Sequence, residues 1–338
     1  MREQEARTAE LEAAVYDALG GVAPPDTVAE AASRVYSTWA DGAAALRLGC
    51  LDWEAAPPAV DPCRGGGLGR TERGMRKRRQ VESLLAVIVA TKLAPPGCAI
   101  ADFGCGSGNL TLPLAWALPE CDVVAVDAKQ RSISLLNDRI AASGLRNVRA
   151  EAGRIEAFDR PVGLVLGLHV CGAGTDDAID VALRQRAAFC VSPCCVGKLN
   201  LVRRGGGGGG CGGGAAAARP RSASMAARLR LHDGGGGDAI GGASPPAFEV
   251  LAAAADWAGH DGVCGYDAAA PCGVLPRAAR TAVEADRAQH AREAGFEAHL
   301  MKLVVPNASL MDDLVVGWPA GSHAAEQRAI LPNTSRVS

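Results

Sequence analysis

A glycine-rich turn between an apolar strand and a helix is the feature that most limits how this chain can fold. Three glycines, Gly104, Gly106 and Gly108, occupy alternate positions after the apolar run Ala99–Phe103 and before the helical stretch Leu110–Leu118. Glycines placed in this way let the backbone turn tightly and approach a ligand without interference from Cβ atoms. We therefore expect a ligand-binding loop at the carboxyl end of the first strand of an α/β sheet.

The spacing of these glycines separates two kinds of ligand. A dinucleotide site has its third glycine one residue later, G-x-G-x-x-G, whereas this chain has G-x-G-x-G preceded by Asp102. A carboxylate there suits a ligand that carries an ammonium group and would repel a pyrophosphate. A second acid, Asp127, ends the next apolar run about 20 residues later, where it can accept hydrogen bonds from ribose hydroxyls. The structural alternative is a glycine-rich turn beside a surface aspartate.

Short apolar runs alternate with helical stretches through the middle of the chain. This order predicts a parallel sheet with right-handed crossovers. Two last runs, His299–Val305 and Leu314–Trp318, are joined by a loop short enough for an antiparallel pair. The predicted fold class is therefore α/β, a Rossmann-like parallel sheet finished by an antiparallel C-terminal hairpin, which is the usual architecture of class I methyltransferases. The other predicted strands are Ala99–Phe103, Val123–Val126, Val148–Ala150, Leu164–Leu168 and Ala188–Val191, with helices at Leu110–Leu118, Arg131–Ser143 and Asp176–Arg186.

The remaining segments are organised around this core. Leu11, Val15 and Leu19 fall at helical spacing and predict a helix near the N-terminus, and a further helix is predicted at Ala278–Ala294. A glycine- and alanine-rich stretch cannot bury enough apolar surface to offset its ordering entropy and is expected to be disordered. We divide the chain into an N-terminal helical and irregular extension (1–73), the cofactor half of the core (74–203), the disordered insertion (204–246), the C-terminal helix and hairpin of the core (247–319) and a tail (320–338).

Composition limits the functional classes. Hydrophobic residues make up 48% of the 338 residues, and 35 Lys and Arg face 37 Asp and Glu, so the whole molecule is not an electrostatic nucleic-acid binder. No apolar run approaches the ~20 residues that span a bilayer, and the N-terminus lacks the apolar region of a secretory signal. A cytoplasmic protein without membrane or DNA partners is expected, and its 12 cysteines are expected to be reduced. Composition does not specify an oligomeric state.

Two unusual segments follow the fourth and fifth predicted strands: LHVCG, which contains His169 and Cys171, and SPCC, which ends in Cys194 and Cys195. Ligand chemistry in open α/β sheets lies beyond the carboxyl ends of strands. His169 is therefore the candidate general base for methyl transfer, an in-line displacement, and the paired cysteines are candidates to shape the pocket or relay protons. The four side chains could also coordinate zinc, but the usual ligand spacing is absent, so no metal is assigned. Tight packing of small residues at strand ends is the alternative.

A basic run, Met75–Gln80, precedes the first strand. Cations at a helix start oppose the helix dipole. We interpret the run as contacting a cofactor carboxylate, through Lys77 and Gln80, or the phosphates of an RNA substrate; a solvated helix turn is the alternative. The adenine of the ligand is expected beside Gly153–Ile155, at Arg154. The chain lacks the Asp/Asn-Pro-Pro-aromatic motif after strand four that amine-methylating enzymes acting on nucleobases carry, which argues against base N-methylation.

Five segments together carry a family resemblance: RKRRQVESLLAVI, DFGCGSGNLTLPLA, LGLHVCGAGTDDAI, SPCCVGKL and VEADRAQHAREAGFEAHLMKLVVP. They resemble the methyltransferase domain of the glutathione S-transferase C-terminal domain-containing protein family, within a wider methyltransferase-like group with LHxCG and PCC elements. The resemblance, over roughly residues 45–319, implies a class I fold, S-adenosyl-L-methionine as cofactor and methyl transfer. The first 45 residues leave no room for the N-terminal domain after which the family is named, so glutathione chemistry is not expected.

The leading prediction is a methyltransferase whose acceptor is RNA, either tRNA or rRNA. A protein methyltransferase and a non-catalytic S-adenosylmethionine-binding module are the alternatives. The predicted catalytic residues are His169, Cys194 and Cys195, and the predicted cofactor-binding residues are Lys77, Gln80, Asp102, Gly104, Cys105, Gly106, Gly108, Asn109, Asp127, Arg154 and His169.

Overall fold

The computed structural model describes residues 11, 13–15, 17–19, 51–196, 199, 218–232, 247–255, 271–303 and 312–322. The chain divides into two units. The first, here the sheet unit, comprises Ser37–Val170, Gly174–Pro193 and Gly295–Ser338; the second, here the helical unit, comprises Met1–Tyr36, Cys171–Ala173 and Cys194–Ala294. This division differs from the sequence-based one because the C-terminal hairpin joins the sheet, whereas the helix before it packs with other helices.

The sheet unit is built on a seven-stranded sheet in the order β3-β2-β1-β4-β5-β7-β6. Strands β1 to β5 are parallel to one another, and β7 runs antiparallel to both β5 and β6. The strands are β1 Ala99–Phe103, β2 Asp122–Asp127, β3 Val148–Ala152, β4 Leu164–Leu168, β5 Ala188–Ser192, β6 Phe296–Lys302 and β7 Asp313–Pro319. This is the predicted class I architecture, and the fold prediction is confirmed. Strand order reverses between β1 and β4, which makes the carboxyl ends of these strands the expected ligand edge.

Three helices lie in this unit: α1 Glu72–Ala90, α2 Thr111–Ala117 and α3 Gln130–Ser143, with a 3-10 turn at Ile155–Ala157. A fourth helix, α4 Ala173–Gln185, lies in it from Gly174 onward. Helix α1 starts where the Thr71 hydroxyl accepts a hydrogen bond from the Gly74 N–H at 3.2 Å, an N-cap. The basic run Met75–Gln80 therefore lies inside the helix, beyond its first three residues. Apolar side chains of α1 share one buried cluster with β1 and β4, including Leu84, Ile88 and Ile100.

The helical unit contains α5 Ala223–His232, α6 Ala247–Ala254 and α7 Pro271–Glu293. Near the N-terminus, residues 11, 13–15, 17 and 18 are helical, and Leu11 and Val15 are buried as their spacing predicted. Leu19, the third position of the pattern, is partly buried against the same cluster. Among the described helices, none combines the length and the apolar character that crossing a bilayer requires.

Several elements differ from the sequence-based predictions, among them α4, which starts at Ala173 rather than Asp176. Helix α5 lies within 204–246, where disorder was expected. Its Met225 and Leu229 side chains are buried in an apolar cluster, although the glycine-rich composition of the whole segment predicted no such burial. The rest of that segment, apart from 218–232, lies outside the described residues. Helix α7 starts seven residues before Ala278 despite Pro276. Strand β6 starts three residues before His299, directly after Gly295, whose φ of +81° ends the preceding helical segment.

Candidate functional site

The glycine loop after β1 adopts the backbone conformation that its sequence predicts. Gly104, Gly106 and Gly108 have φ values of +63°, +55° and +83°, which only glycine adopts without strain. A Cβ on Gly108 would lie 2.3 Å from Leu136 Cδ1, whereas a Cβ on Gly106 would meet nothing within 4 Å. Gly108 is therefore required for packing against α3, and Gly106 leaves open space beside the backbone that a ligand can use.

Asp127, at the end of β2, is hydrogen-bonded to this loop. Its Oδ2 accepts a hydrogen bond from the Gly106 N–H at 3.0 Å, and its Oδ1 accepts one from the Lys129 N–H at 2.8 Å. The parallel pairing of Phe103 with Val126 brings the two strand ends side by side. A carboxylate held by two backbone donors keeps lone pairs for further hydrogen bonds, because each oxygen can accept two.

Asp102 lies beneath the loop rather than on its surface, with only 1% of its area exposed. The Thr111 hydroxyl donates to its Oδ2 at 2.6 Å. Burial raises the pKa of the Asp102 carboxyl to about 7; the Thr111 hydrogen bond and the charge of Lys77 oppose this shift, and the Asp127 carboxylate adds to it. Asp102 thus titrates near neutral pH. The sequence identified Asp102 and Lys77 but missed Thr111.

Two predicted cofactor residues have structural contacts within the loop. The Asn109 side-chain oxygen accepts a hydrogen bond from Arg139 Nη1 at 2.9 Å, and the same guanidinium donates to the Ser107 carbonyl at 2.5 Å. Burial lowers the pKa of Arg139 to about 10. Cys105 is buried, and burial together with the Asp102 and Asp127 carboxylates raises the pKa of its thiol. Arg139, which sequence reasoning missed, holds the loop through a side chain 30 residues from Asn109.

His169 and Gln80, both predicted to contact the cofactor, meet in the structure. His169 Nε2 lies 3.0 Å from Gln80 Oε1. An amide oxygen only accepts hydrogen bonds, so this contact is a hydrogen bond in the tautomer that carries the proton on Nε2. The backbone of His169 has a φ of +68°, and its N–H donates to the Ser192 carbonyl at 3.0 Å. A non-glycine residue in this region carries strain of a kind that clusters at functional sites.

The next side chain, Val170, explains why the backbone turns at His169. Cβ atoms added to Gly104, Gly167 and Gly174 would lie 3.3, 2.5 and 2.8 Å from its methyl carbons. Three glycines thus form a slot that Val170 fills. The Thr175 hydroxyl donates to the Val170 carbonyl at 2.5 Å and closes the turn. The LHVCG segment is therefore held by packing as well as by hydrogen bonds.

Other predicted cations have contacts within the protein. Arg78 is buried and donates from Nε and Nη2 to Asp61 at 2.9 and 2.5 Å, and its side-chain hydrogen bond is the main cause that lowers the pKa of that carboxyl against the opposing effect of burial. Arg79 pairs with Glu72 at 3.2 Å. Arg154 pairs with Glu156. Arg78 thus stabilises the segment before α1, a role that neither the cofactor and RNA interpretations of the basic run nor the solvated-turn alternative anticipated.

The cysteines predicted as catalytic belong to the helical unit, where they form a cluster with Cys171. Cys171 Sγ lies 3.2 Å from Cys194 Sγ, which lies 3.6 Å from Cys195 Sγ. Cys194 is buried, and hydrogen bonding with Cys171, followed by burial, raises the pKa of its thiol. All three are thiols. We call them the thiol cluster.

Comparison with known proteins identifies the domain. Residues 76–201 match a family model described as a methyltransferase domain. A glutathione S-transferase C-terminal domain-containing protein of Xenopus laevis is 36% identical over 147 residues, covering 44% of this chain and 23% of the relative. Its Drosophila melanogaster homolog is 34% identical over 149 residues, covering 44% of this chain and 25% of the relative. The chain therefore spans about a quarter of the length of these relatives.

Among solved structures, an S-adenosylmethionine-dependent methyltransferase from Clostridium acetobutylicum is 21% identical, with a TM-score of 0.30, and the match covers 38% of this chain and 54% of that one. The fold assignment rests instead on the strand order described above. The matches confirm the family resemblance over the methyltransferase region. Residues 76–201 thus match a methyltransferase domain, and the sheet has the strand order of the class I fold.

Proposed function

We propose that this protein is an S-adenosylmethionine-dependent methyltransferase. The observation that carries the proposal is the Asp127 carboxylate, fastened to the Gly106 N–H at 3.0 Å beside open space in the glycine loop. This arrangement fits an adenosine ligand, because Asp127 can accept hydrogen bonds from the ribose hydroxyls while Gly106 lets the ligand approach the backbone. Asp102 is buried beneath the loop, so it acts on the ligand's ammonium group through its charge, which changes near neutral pH.

S-adenosylmethionine supplies an electrophilic methyl group when it is bound. The contribution of this chain is then to hold an acceptor in line and to remove its proton. His169 is our candidate base, and its ring is oriented by the contact of 3.0 Å between Nε2 and Gln80 Oε1. Gln80 is a positioning residue in this scheme. The catalytic roles predicted for Cys194 and Cys195 stay predictions, since both lie in the helical unit.

For the acceptor we propose RNA, at a position other than a base amine, since the base-amine methylation motif is absent. Arg76 and Lys77 supply positive charge on α1 in the same unit as the glycine loop, while Arg78 is committed to Asp61. In addition, a ribosomal RNA small subunit methyltransferase G of Nostoc punctiforme is 29% identical over 118 residues, covering 35% of this chain and 43% of that protein. Phosphate contacts of this kind predict binding that weakens as salt rises.

Incubation with methyl-tritiated S-adenosylmethionine and separated RNA and protein fractions tests the proposal. We expect label in RNA with the wild type, no label with Asp127→Ala, and full activity with Asp122→Ala, an exposed carboxylate at the opposite end of β2. Label in the protein fraction alone would replace RNA by a protein acceptor. Cofactor binding without transfer to either fraction would leave a non-catalytic binding module.

A further inference from the structure

The thiol cluster has a geometry that methyl transfer does not require. Its two measured sulfur separations are 3.2 and 3.6 Å, and all three sulfur atoms lie within 4.8 Å of one another. Three thiolates bound tetrahedrally to one zinc ion, with Zn–S bonds of about 2.3 Å, stand ~3.8 Å apart. A disulfide would require an S–S distance of about 2.05 Å. The observed separations are thus close to those of a shared metal, and small side-chain rotations would complete the match.

The backbone that carries these thiols is held in place from two directions. The Gly172 N–H donates to the Cys195 carbonyl at 3.1 Å, which ties the Cys171 segment to the Cys194–Cys195 segment. From α7, Arg280 Nη1 donates to the Cys194 carbonyl at 2.8 Å, and Arg287 Nη2 donates to the Gly172 carbonyl at 3.1 Å. Such supporting contacts fix the direction of ligands before a metal arrives.

The same arginines supply charge. Arg280 and Arg287 are 5% and 2% exposed, so their guanidinium groups lie in the interior of the helical unit. Three thiolates and one Zn²⁺ carry a net charge of minus one, and buried cations bound to the same backbone segments offset such an anion. Arg287 also pairs with Glu284 at 2.8 Å, which fixes the orientation of its guanidinium.

We propose that Cys171, Cys194 and Cys195 form a zinc site, a function beyond methyl transfer and independent of it. Sulfur ligands select thiophilic cations such as zinc over magnesium or calcium. Within the part of the chain that the structure describes, the group contains three thiols and no histidine or carboxylate. Three protein ligands leave the fourth tetrahedral position to an exogenous ligand, as in sites that bind or activate small molecules. Cys171 and Cys195 are half-buried and provide the path of entry.

This proposal revises the sequence-based interpretation, which assigned no metal because zinc-finger spacing is absent. Cys171 and Cys194 are 23 residues apart, and they meet because β4 and β5 are parallel neighbours whose following segments start from the same edge. Zinc-ligand spacing rules describe local loops. They do not detect ligands that a parallel sheet brings together.

The test is zinc binding by the full chain, purified without an affinity tag, reduced and stripped of metal. Titration against a chromophoric chelator should show one tight equivalent of Zn²⁺, and Co²⁺ in its place should give the charge-transfer and visible bands of tetrahedral thiolate coordination. Cys171→Ser and Cys195→Ser should each weaken zinc binding at least tenfold. Cys121→Ser should not, because Cys121 lies in the sheet unit, where its thiol donates to the Pro95 carbonyl at 3.5 Å.

A second measurement needs no variant. Zinc should protect Cys171, Cys194 and Cys195 from alkylation, as mapped by peptide mass spectrometry, and should raise the melting temperature of the wild type. The proposal would be overturned if the protein bound no tight equivalent of Zn²⁺, or if zinc protected other cysteines instead. It would also be overturned if zinc-free protein kept a Cys171–Cys194 disulfide under reducing conditions. Because S-adenosylmethionine binding is measured separately, failure of the zinc site and failure of the proposed methyltransferase function are distinguishable.

Discussion

The loop after β1 and the turn after β4 lie at the ends of neighbouring strands, yet they are held by different forces. The β1 loop is held mainly by hydrogen bonds between backbone N–H groups and carboxylates, such as the bond from the Gly106 N–H to Asp127. In the β4 turn, a valine side chain fills a slot formed by three glycines, and His169 takes a left-handed backbone conformation. The first arrangement resembles a preformed binding cradle, and the second a rigid support for one imidazole. The comparison suggests that cofactor binding and proton transfer are separable.

The largest expected effect tests this separation directly. His169→Ala should lower methyl transfer by roughly 100-fold or more, the usual contribution of a general base, while S-adenosylmethionine affinity stays within about twofold of the wild type, since less than 0.5 kcal/mol is then lost. Steady-state transfer and calorimetry measure the two quantities. The conservative variant Gln80→Glu, which keeps an acceptor for Nε2, should retain more turnover than Gln80→Leu. Unchanged transfer in His169→Ala would make His169 a packing residue.

The next prediction compares two glycines of the β1 loop. Gly108→Ala should destabilise the fold by about 2–4 kcal/mol, because the new Cβ meets Leu136 and the backbone is left-handed. Gly106→Ala should cost only about 1 kcal/mol of stability, because its Cβ enters open space. It should nevertheless weaken S-adenosylmethionine binding at least as much as Gly108→Ala does in the fraction that folds. Chemical denaturation and calorimetry on both variants supply the numbers.

Equal destabilisation by the two substitutions would contradict the packing difference. Full cofactor affinity in Gly106→Ala would show that the open space beside Gly106 is not where the ligand lies.

The smallest expected effect is on pH dependence. The pKa of Asp102 is raised to about 7, so its carboxyl is mostly protonated below that pH. A ligand ammonium group favours the carboxylate, so affinity should rise with pH through 7. Because Asp102 lies beneath the loop and acts only through its charge, the rise should be roughly fivefold in total, or about 1 kcal/mol. The rise should end near pH 8, where the ligand's own amine, with a pKa of about 8, begins to lose its proton. Calorimetry between pH 5.5 and 7.5 should show the rise in wild type and a flat profile in Asp102→Asn.

The two regions also differ in how far sequence predicted them. Strands β1 and β4 were predicted with the bounds observed, because continuous apolar runs flanked by turn residues leave little ambiguity. Asp127 and the loop glycines follow from spacing along one local segment. The Val170 slot could not be predicted, since Gly104 and Gly174 lie far apart in sequence. Arg139 and Asn109, 30 residues apart, and Arg78 and Asp61, 17 residues apart, are likewise long-range pairs without local signal.

Other differences between prediction and structure concern α5, α7 and β6. The glycine runs of 204–246 predicted disorder for the whole stretch, but the ten residues of α5 contain enough apolar side chains to bury one face. Helix α7 was predicted from Ala278, whereas the observed helix has 23 residues, starts at Pro271 and contains Pro276. Strand β6 starts at Phe296, three residues earlier than predicted, directly after Gly295, whose left-handed backbone ends the preceding helical segment.

The most direct test of the central claim is calorimetry of S-adenosylmethionine binding to wild type, Asp127→Ala and Asp122→Ala. We expect the wild type and Asp122→Ala to bind one equivalent with equal affinity. Asp127→Ala, which loses charge-assisted hydrogen bonds to both ribose hydroxyls, should bind at least about 100-fold more weakly. Absence of binding by the wild type, or equal binding by Asp127→Ala, would contradict the assignment of the glycine loop and Asp127 as the cofactor site.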